Sequence, residues 1–189
     1  MLARALAEIL FLTLLWLPSH LAAAEPDGAL ITILPNGTVS VAGGARIPPY
    51  PGPGRWTEGT RRSSERHVVR HFLFIGPGGP PAMELYVTQD LTGDTADGVF
   101  EMGLVRGFLS SFGSQVGFVP APLVVREGVL DGKAIKRCRA ALSRAERTIW
   151  LYAFIFPRQP ALTFLTLRPQ PDADAEIESY LTTVRFDER

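Results

Sequence analysis

The chain has 189 residues, with 19 basic and 19 acidic side chains and therefore no formal net charge. A neutral chain has no global field to attract nucleic acid or a charged membrane surface, so neither is expected as a partner on that ground. Hydrophobic residues make up 46% of the chain, enough for one ordinary core.

The chain opens as a secretory signal. Met1–Arg4 is short and basic, and Ile9–Leu17 is a compact apolar run. Pro18 and Ser19 break that run, and Ala22–Ala24 offers small residues at a cleavage site. The run falls short of the roughly 20 residues needed to span a bilayer. The expected product is a mature protein starting at Glu25, periplasmic or secreted, with no transmembrane anchor once the signal is removed. Cys138 is the only cysteine, so no internal disulfide is expected and stability must come from packing.

Residues 25–62 read as an N-terminal hairpin and a Pro/Gly-rich loop. Leu30–Leu34 and Thr38–Val41 flank Pro35-Asn36-Gly37, and Asn-Gly suits a hairpin turn. From Gly43 to Arg62 periodicity is lost among prolines and glycines, which predicts extended, irregular chain. Residues 63–189 read as a single α+β domain. Arg66–Ile75 and Met83–Thr88 are strands joined by Gly76–Pro81. A helix follows within Thr92–Phe112, with Asp94 or Thr95 as cap and Asp97 in its first turn. Its apolar stripe is Met102, Val105, Phe108, Leu109 and Phe112. Gly103 and Gly107 weaken that helix, and are expected to allow close approach to the sheet.

Leu123–Leu130 and Lys133–Leu142 form a second hairpin around Asp131-Gly132. Thr148–Phe156 places Trp150, Tyr152, Phe154 and Phe156 on one face and Ile149, Leu151, Ala153 and Ile155 on the other. A strand apolar on both faces must be covered on both. Ala161–Arg168 is the last long strand. A closing helix begins near Asp172–Asp174, with Ile177, Leu181 and Val184 on its inner face. The sum is a mainly antiparallel sheet covered by two helices.

This order resembles the PsbP-like fold, shared by the PsbP photosystem accessory proteins, the Ran-binding Mog protein and many bacterial exported proteins. The similar part runs from Trp56 to Phe186. It rests on the helix Val99–Phe112, the Asp131-Gly132 hairpin, the aromatic strand Trp150–Phe156 and the closing Ile177–Phe186. The resemblance implies a binding or accessory role toward other proteins, and carries no catalytic motif.

No residue is assigned as catalytic, cofactor-binding or metal-ligating, and no cofactor is expected. Ser110, Ser111 and Ser114 lie outside any nucleophile elbow. Cys138 shares a strand face with Ala134, Ala140 and Leu142, as a structural thiol would. His67 and His71 share a face, with Glu65, but residues four apart on a strand are roughly 13 Å apart. One ion would need further ligands between them.

The remaining candidates concern a protein partner or an anionic surface. Tyr50, Arg55, Trp56, Arg61 and Arg62 form a pre-extended aromatic and basic segment. One reading exposes Tyr50 as an anchor; the other has Trp56 plugging the sheet edge with Tyr50 as a lid. Arg66 and Arg70, with Lys136, Arg137 and Arg139 on neighbouring strands, would extend the basic surface. The expected function is that of a non-enzymatic exported binding or accessory protein of the cell envelope. Two alternatives stand: a small-ligand or lipid carrier using the space between helix Val99–Phe112 and the sheet, and a hydrolase with an unrecognised site.

Overall fold

The computed structural model describes residues 31–42, 44–92, 98–158 and 160–187. The signal segment, Leu30, and Asp94, Thr95 and Asp97 before the helix lie outside the described residues.

Three short strands come first: β1 (Ile31–Ile33), β2 (Val39–Val41) and β3 (Ala45–Ile47). The β1–β2 hairpin turns at Gly37, whose φ of 81° suits glycine, and Asn36 Oδ1 accepts from the Thr38 N–H at 3.1 Å. β4 (Arg55–Ser63), β5 (His67–Ile75) and β6 (Pro81–Asp90) form a meander. Helix α1 (Val99–Val116) follows, starting after Gly98 and ending at Gly117, both left-handed. Then come β7 (Val119–Pro120), β8 (Val124–Leu130), β9 (Lys133–Arg144), β10 (Arg147–Phe156) and β11 (Ala161–Arg168). Helix α2 (Asp174–Leu181) and β12 (Arg185–Phe186) close the chain.

Two sheets result, and every described ladder is antiparallel. The large one runs β4-β5-β6-β11-β10-β9-β7, with β8 also paired to β9. The small one runs β1-β2-β3-β12, so Arg185–Phe186 returns to the first described strands. Among the described residues, a mostly antiparallel sheet with two helices is compatible with the α+β class expected, with strand predominating. The second sheet is new, and β3 and β4 correct the reading of residues 43–62 as an irregular loop. β4 is charged and exposed apart from Trp56, so it shows no apolar period. It also crosses the boundary placed between residues 62 and 63.

β10 lies inside the large sheet, between β9 and β11, and both its faces are covered. Tyr152, Phe154 and Phe156 belong to one core with Phe72, Phe74, Leu85 and Phe164. The small sheet and α2 close that core through Val39, Ile47, Ile177 and Tyr180. Leu151, Ala153 and Ile155 belong to a second core with Val105, Leu109 and Phe112 of α1, and with Cys138 and Leu142 of β9. Burial pushes the Cys138 thiol up to about 11, as suits a structural cysteine, and its Sγ lies 3.4 Å from Met102 Sδ.

Phe154 is 1% exposed and central in the first core. Truncating it removes transfer energy and leaves a cavity, so Phe154→Ala should cost about 3–5 kcal/mol in denaturant unfolding. A loss under about 1 kcal/mol would contradict its central position.

Candidate functional site

The α1 face of the large sheet is covered unevenly. α1 packs over β9, β10 and β11, while the β4–β6 half is only partly roofed. The gap is a cavity of about 580 Å³ between α1 and that half. This lies in the usual range for small-ligand pockets, about 300–1,000 Å³.

The alternation of β5 sends His67, Val69, His71 and Leu73 to this side, while Phe72 and Phe74 enter the other core. β6 likewise contributes Glu84 and Tyr86 between the oppositely directed Met83, Leu85 and Val87. β4 reaches the cavity through an irregularity. Its register with β5 shifts between Glu58 and Arg61, so Gly59 and Thr60 both lie across from His71. The extra residue switches the strand's facing, and Thr60 and Arg62 turn toward the cavity. The bulge is close-packed: a Cβ at Gly59 would stand 3.3 Å from His71 Nδ1. From α1 the wall receives Phe100, Leu104, Phe108 and Ser111, with Gly103 and Gly107 between them.

The polar wall is tightly built. His71 and Glu84 are both buried, with His71 Nε2 2.9 Å from Glu84 Oε2. The Tyr86 hydroxyl donates to the same oxygen at 2.7 Å, and its ring stacks on His71 at 4.3 Å. Burial first, and the Glu84 carboxyl second, raise the Tyr86 phenol well above its ordinary value. At the mouth, His67 stacks on Phe100 at 3.9 Å and lies 3.7 Å from Asp90. Neither imidazole is hydrogen-bonded through its ring to a Ser or Cys among the described residues. Ser64 Oγ instead accepts from the Arg66 and His67 backbone N–H groups. The wall can therefore orient a ligand, but holds no primed nucleophile of the Ser–His or Cys–His kind. Among the described residues no three His, Cys, Asp or Glu side chains gather as a metal site. None of the helices described is long and apolar enough to cross a membrane.

The partner-segment residues separate. Tyr50 is buried rather than exposed, and is a wedge rather than a lid. Its hydroxyl donates to Glu176 at 2.9 Å and accepts from Arg168 at 2.6 Å, and its ring meets Tyr180 edge-on at 4.9 Å. Trp56 is 2% exposed, donates Nε1 to the Pro48 carbonyl at 3.0 Å and packs on Phe74. The prolines hold this segment extended, which lets both rings reach into the core between the sheets. Trp56 thus acts as the plug. Arg55, Arg61 and Arg62 stay exposed, and only Arg62 joins the cavity.

The extended basic surface does not form. β5 and β9 are separated by β6, β11 and β10. Arg70 pairs with Glu58 at 2.7 Å, Arg137 with Glu178, Arg139 with Asp174 at 3.7 Å and Lys136 with Glu127 at 3.3 Å. Gly103 and Gly107 do not serve close packing either, because a Cβ at either position would meet nothing within 4 Å.

The sequence reading weighed the two histidines but missed Glu84, Tyr86 and Phe100. Glu84 and Tyr86 were accessible as two residues on one face of a strand whose other face carries Met83, Leu85 and Val87. Comparison with family models, curated proteins and solved structures finds no match to this chain.

All four tyrosines are raised above the ordinary phenol value, with burial the largest cause in each. The folded state therefore binds more protons than the unfolded state above about pH 10. Their contribution to stability is complete below that pH and is lost as pH climbs toward the folded values. In a 295 nm titration the folded protein should be less ionised at pH 10 than the urea-unfolded chain, which is half ionised there. Coincident curves would contradict the buried phenols.

Proposed function

We propose that this protein is an exported, non-enzymatic binding domain that carries a small amphipathic ligand between α1 and strands β4–β6. The observation that carries this reading is the cavity itself, an apolar bowl with one hydrogen-bonding wall. Such a bowl gives affinity through burial of apolar surface, and the few polar groups give orientation. Val69, Leu73, Phe100, Leu104 and Phe108 supply the apolar part, and His71, Glu84 and Tyr86 the polar part. A layered α+β domain of this type is compatible with the PsbP-like resemblance, whose members are binding and accessory proteins. The signal-like start accords with work outside the cytoplasm.

The two glycines of α1 support the same reading. Each weakens an exposed helix position by about 1 kcal/mol relative to alanine. Their gain lies on the cavity side, where a larger residue would occupy ligand space.

An accessory role toward a protein partner is favoured by a different feature. β8 is an edge strand, and Val124, Val125 and Val129 are exposed along it, with Val119 on β7 nearby. Such an edge can accept a partner strand.

Gly107→Leu separates the two readings. It improves helix propensity, so the fold should persist, and it fills the cavity. Wild-type protein should enhance the fluorescence of 1-aminoanthracene, a neutral apolar probe, and Gly107→Leu should abolish the effect with the near-UV dichroism unchanged. Absence of enhancement in the wild type, or equal enhancement in the variant, would overturn the carrier reading and leave the β8 edge as the better candidate.

A further inference from the structure

The cavity presents five titratable side chains: Arg62, His67, His71, Glu84 and Tyr86. Four are accounted for within the protein. His71 and Tyr86 both meet Glu84 Oε2, at 2.9 and 2.7 Å. His67 is stacked on Phe100 and faces Asp90 at 3.7 Å. Asp90 is itself engaged by the Thr92 hydroxyl at 2.6 Å and by Arg66 at 3.6 Å. Arg62 has no carboxylate partner among the described residues, in contrast to Arg66, Arg70, Arg137 and Arg139.

Its position follows from the bulge in β4. Without the extra residue, Arg62 would fall on the face of Trp56 and Glu58; with it, Arg62 stands at the cavity mouth on the side of Tyr86. Arg61, its neighbour, pairs in register with Arg70 and faces the other way. A planar, permanently charged guanidinium at the rim of an apolar bowl suits a carboxylate, which it can grip with two parallel hydrogen bonds. The Glu84 carboxyl in the same wall disfavours a multiply charged anion.

We infer that the ligand is an apolar monocarboxylate, its head held by Arg62 at the mouth and its body lying among Leu73, Leu104 and Phe108. This rests on the carrier reading and narrows it to one chemical class. The apolar body supplies most of the affinity, and the guanidinium selects the head.

The test is displacement of 1-aminoanthracene by decanoate, 1-decanol and decyltrimethylammonium, which share a chain and differ in head charge. Decanoate should bind about tenfold more tightly than decanol, and the cation more weakly still. Arg62→Gln should erase the decanoate preference, whereas Arg61→Gln, which removes the same charge from the opposite face, should keep it. If decanol matches decanoate in the wild type, or if Arg62→Gln keeps the preference, the inference fails while the carrier reading stands. If the protein takes up neither probe nor decanoate nor decanol, both fail together.

Discussion

The structure depends on β10 being apolar on both faces. Tyr152, Phe154 and Phe156 on one side and Leu151, Ala153 and Ile155 on the other are all buried. Neither set could be left in water without losing about 1.5–3 kcal/mol per large side chain. The sheet must therefore be covered twice, and the two covers are of different kinds. One is broad: the small sheet with α2, wedged by Tyr50 and Trp56. The other is α1, with Phe118 and Leu123 beside it.

That asymmetry produces the cavity. The main path of the large sheet is seven strands wide, roughly 29 Å at about 4.8 Å per strand. A helix with its side chains is about 10–12 Å across, the width of two or three strands. α1 is placed over β9–β11, where Cys138, Ala140, Leu142 and Leu151 present an apolar surface. The β4–β6 half is left without a close-packed partner, and there the inward residues change character to His71, Glu84 and Tyr86. These groups satisfy one another, which makes their burial tolerable. Filling the gap with aliphatic side chains would have been the simpler way to gain stability. Its polar wall and the glycines facing it suit the ligand site proposed better than a core.

Much of the scaffold was legible because it obeys short-range rules. The alternation in Thr148–Phe156, the Asp131-Gly132 turn and the helical stripe Val105, Leu109 and Phe112 all identify elements found in place. β4 escaped because an edge strand owes its form to pairing rather than to apolar period, and β3 because it is only three residues long and the surrounding prolines and glycines suggest irregular chain. Tyr50 and Trp56 were visible as unusual, yet aromatic rings in a proline-rich segment fit an interface or a core equally well. Only the second sheet, built partly from the far end of the chain, decides between them. The site was half legible. His67 and His71 share a face by periodicity alone, but their partners depend on the β5–β6 register that sets His71 opposite Tyr86. The turn of Arg62 toward the cavity depends on a one-residue bulge that no local pattern announces.

The small sheet and α2 make the first core, and α1 makes the second. Between α1 and β4–β6 the protein keeps space whose chemistry is apolar below and polar at one wall. The edge valines of β8, with Val119 of β7, are another apolar surface that could attract a ligand. A methyl NMR titration of the intact protein with decanoate distinguishes these directly. The methyls of Val69, Leu73 and Leu104 should shift together and saturate along one isotherm, with Val119, Val124 and Val129 unmoved. Shifts confined to Val119, Val124 and Val129, with the cavity methyls silent, would contradict the account.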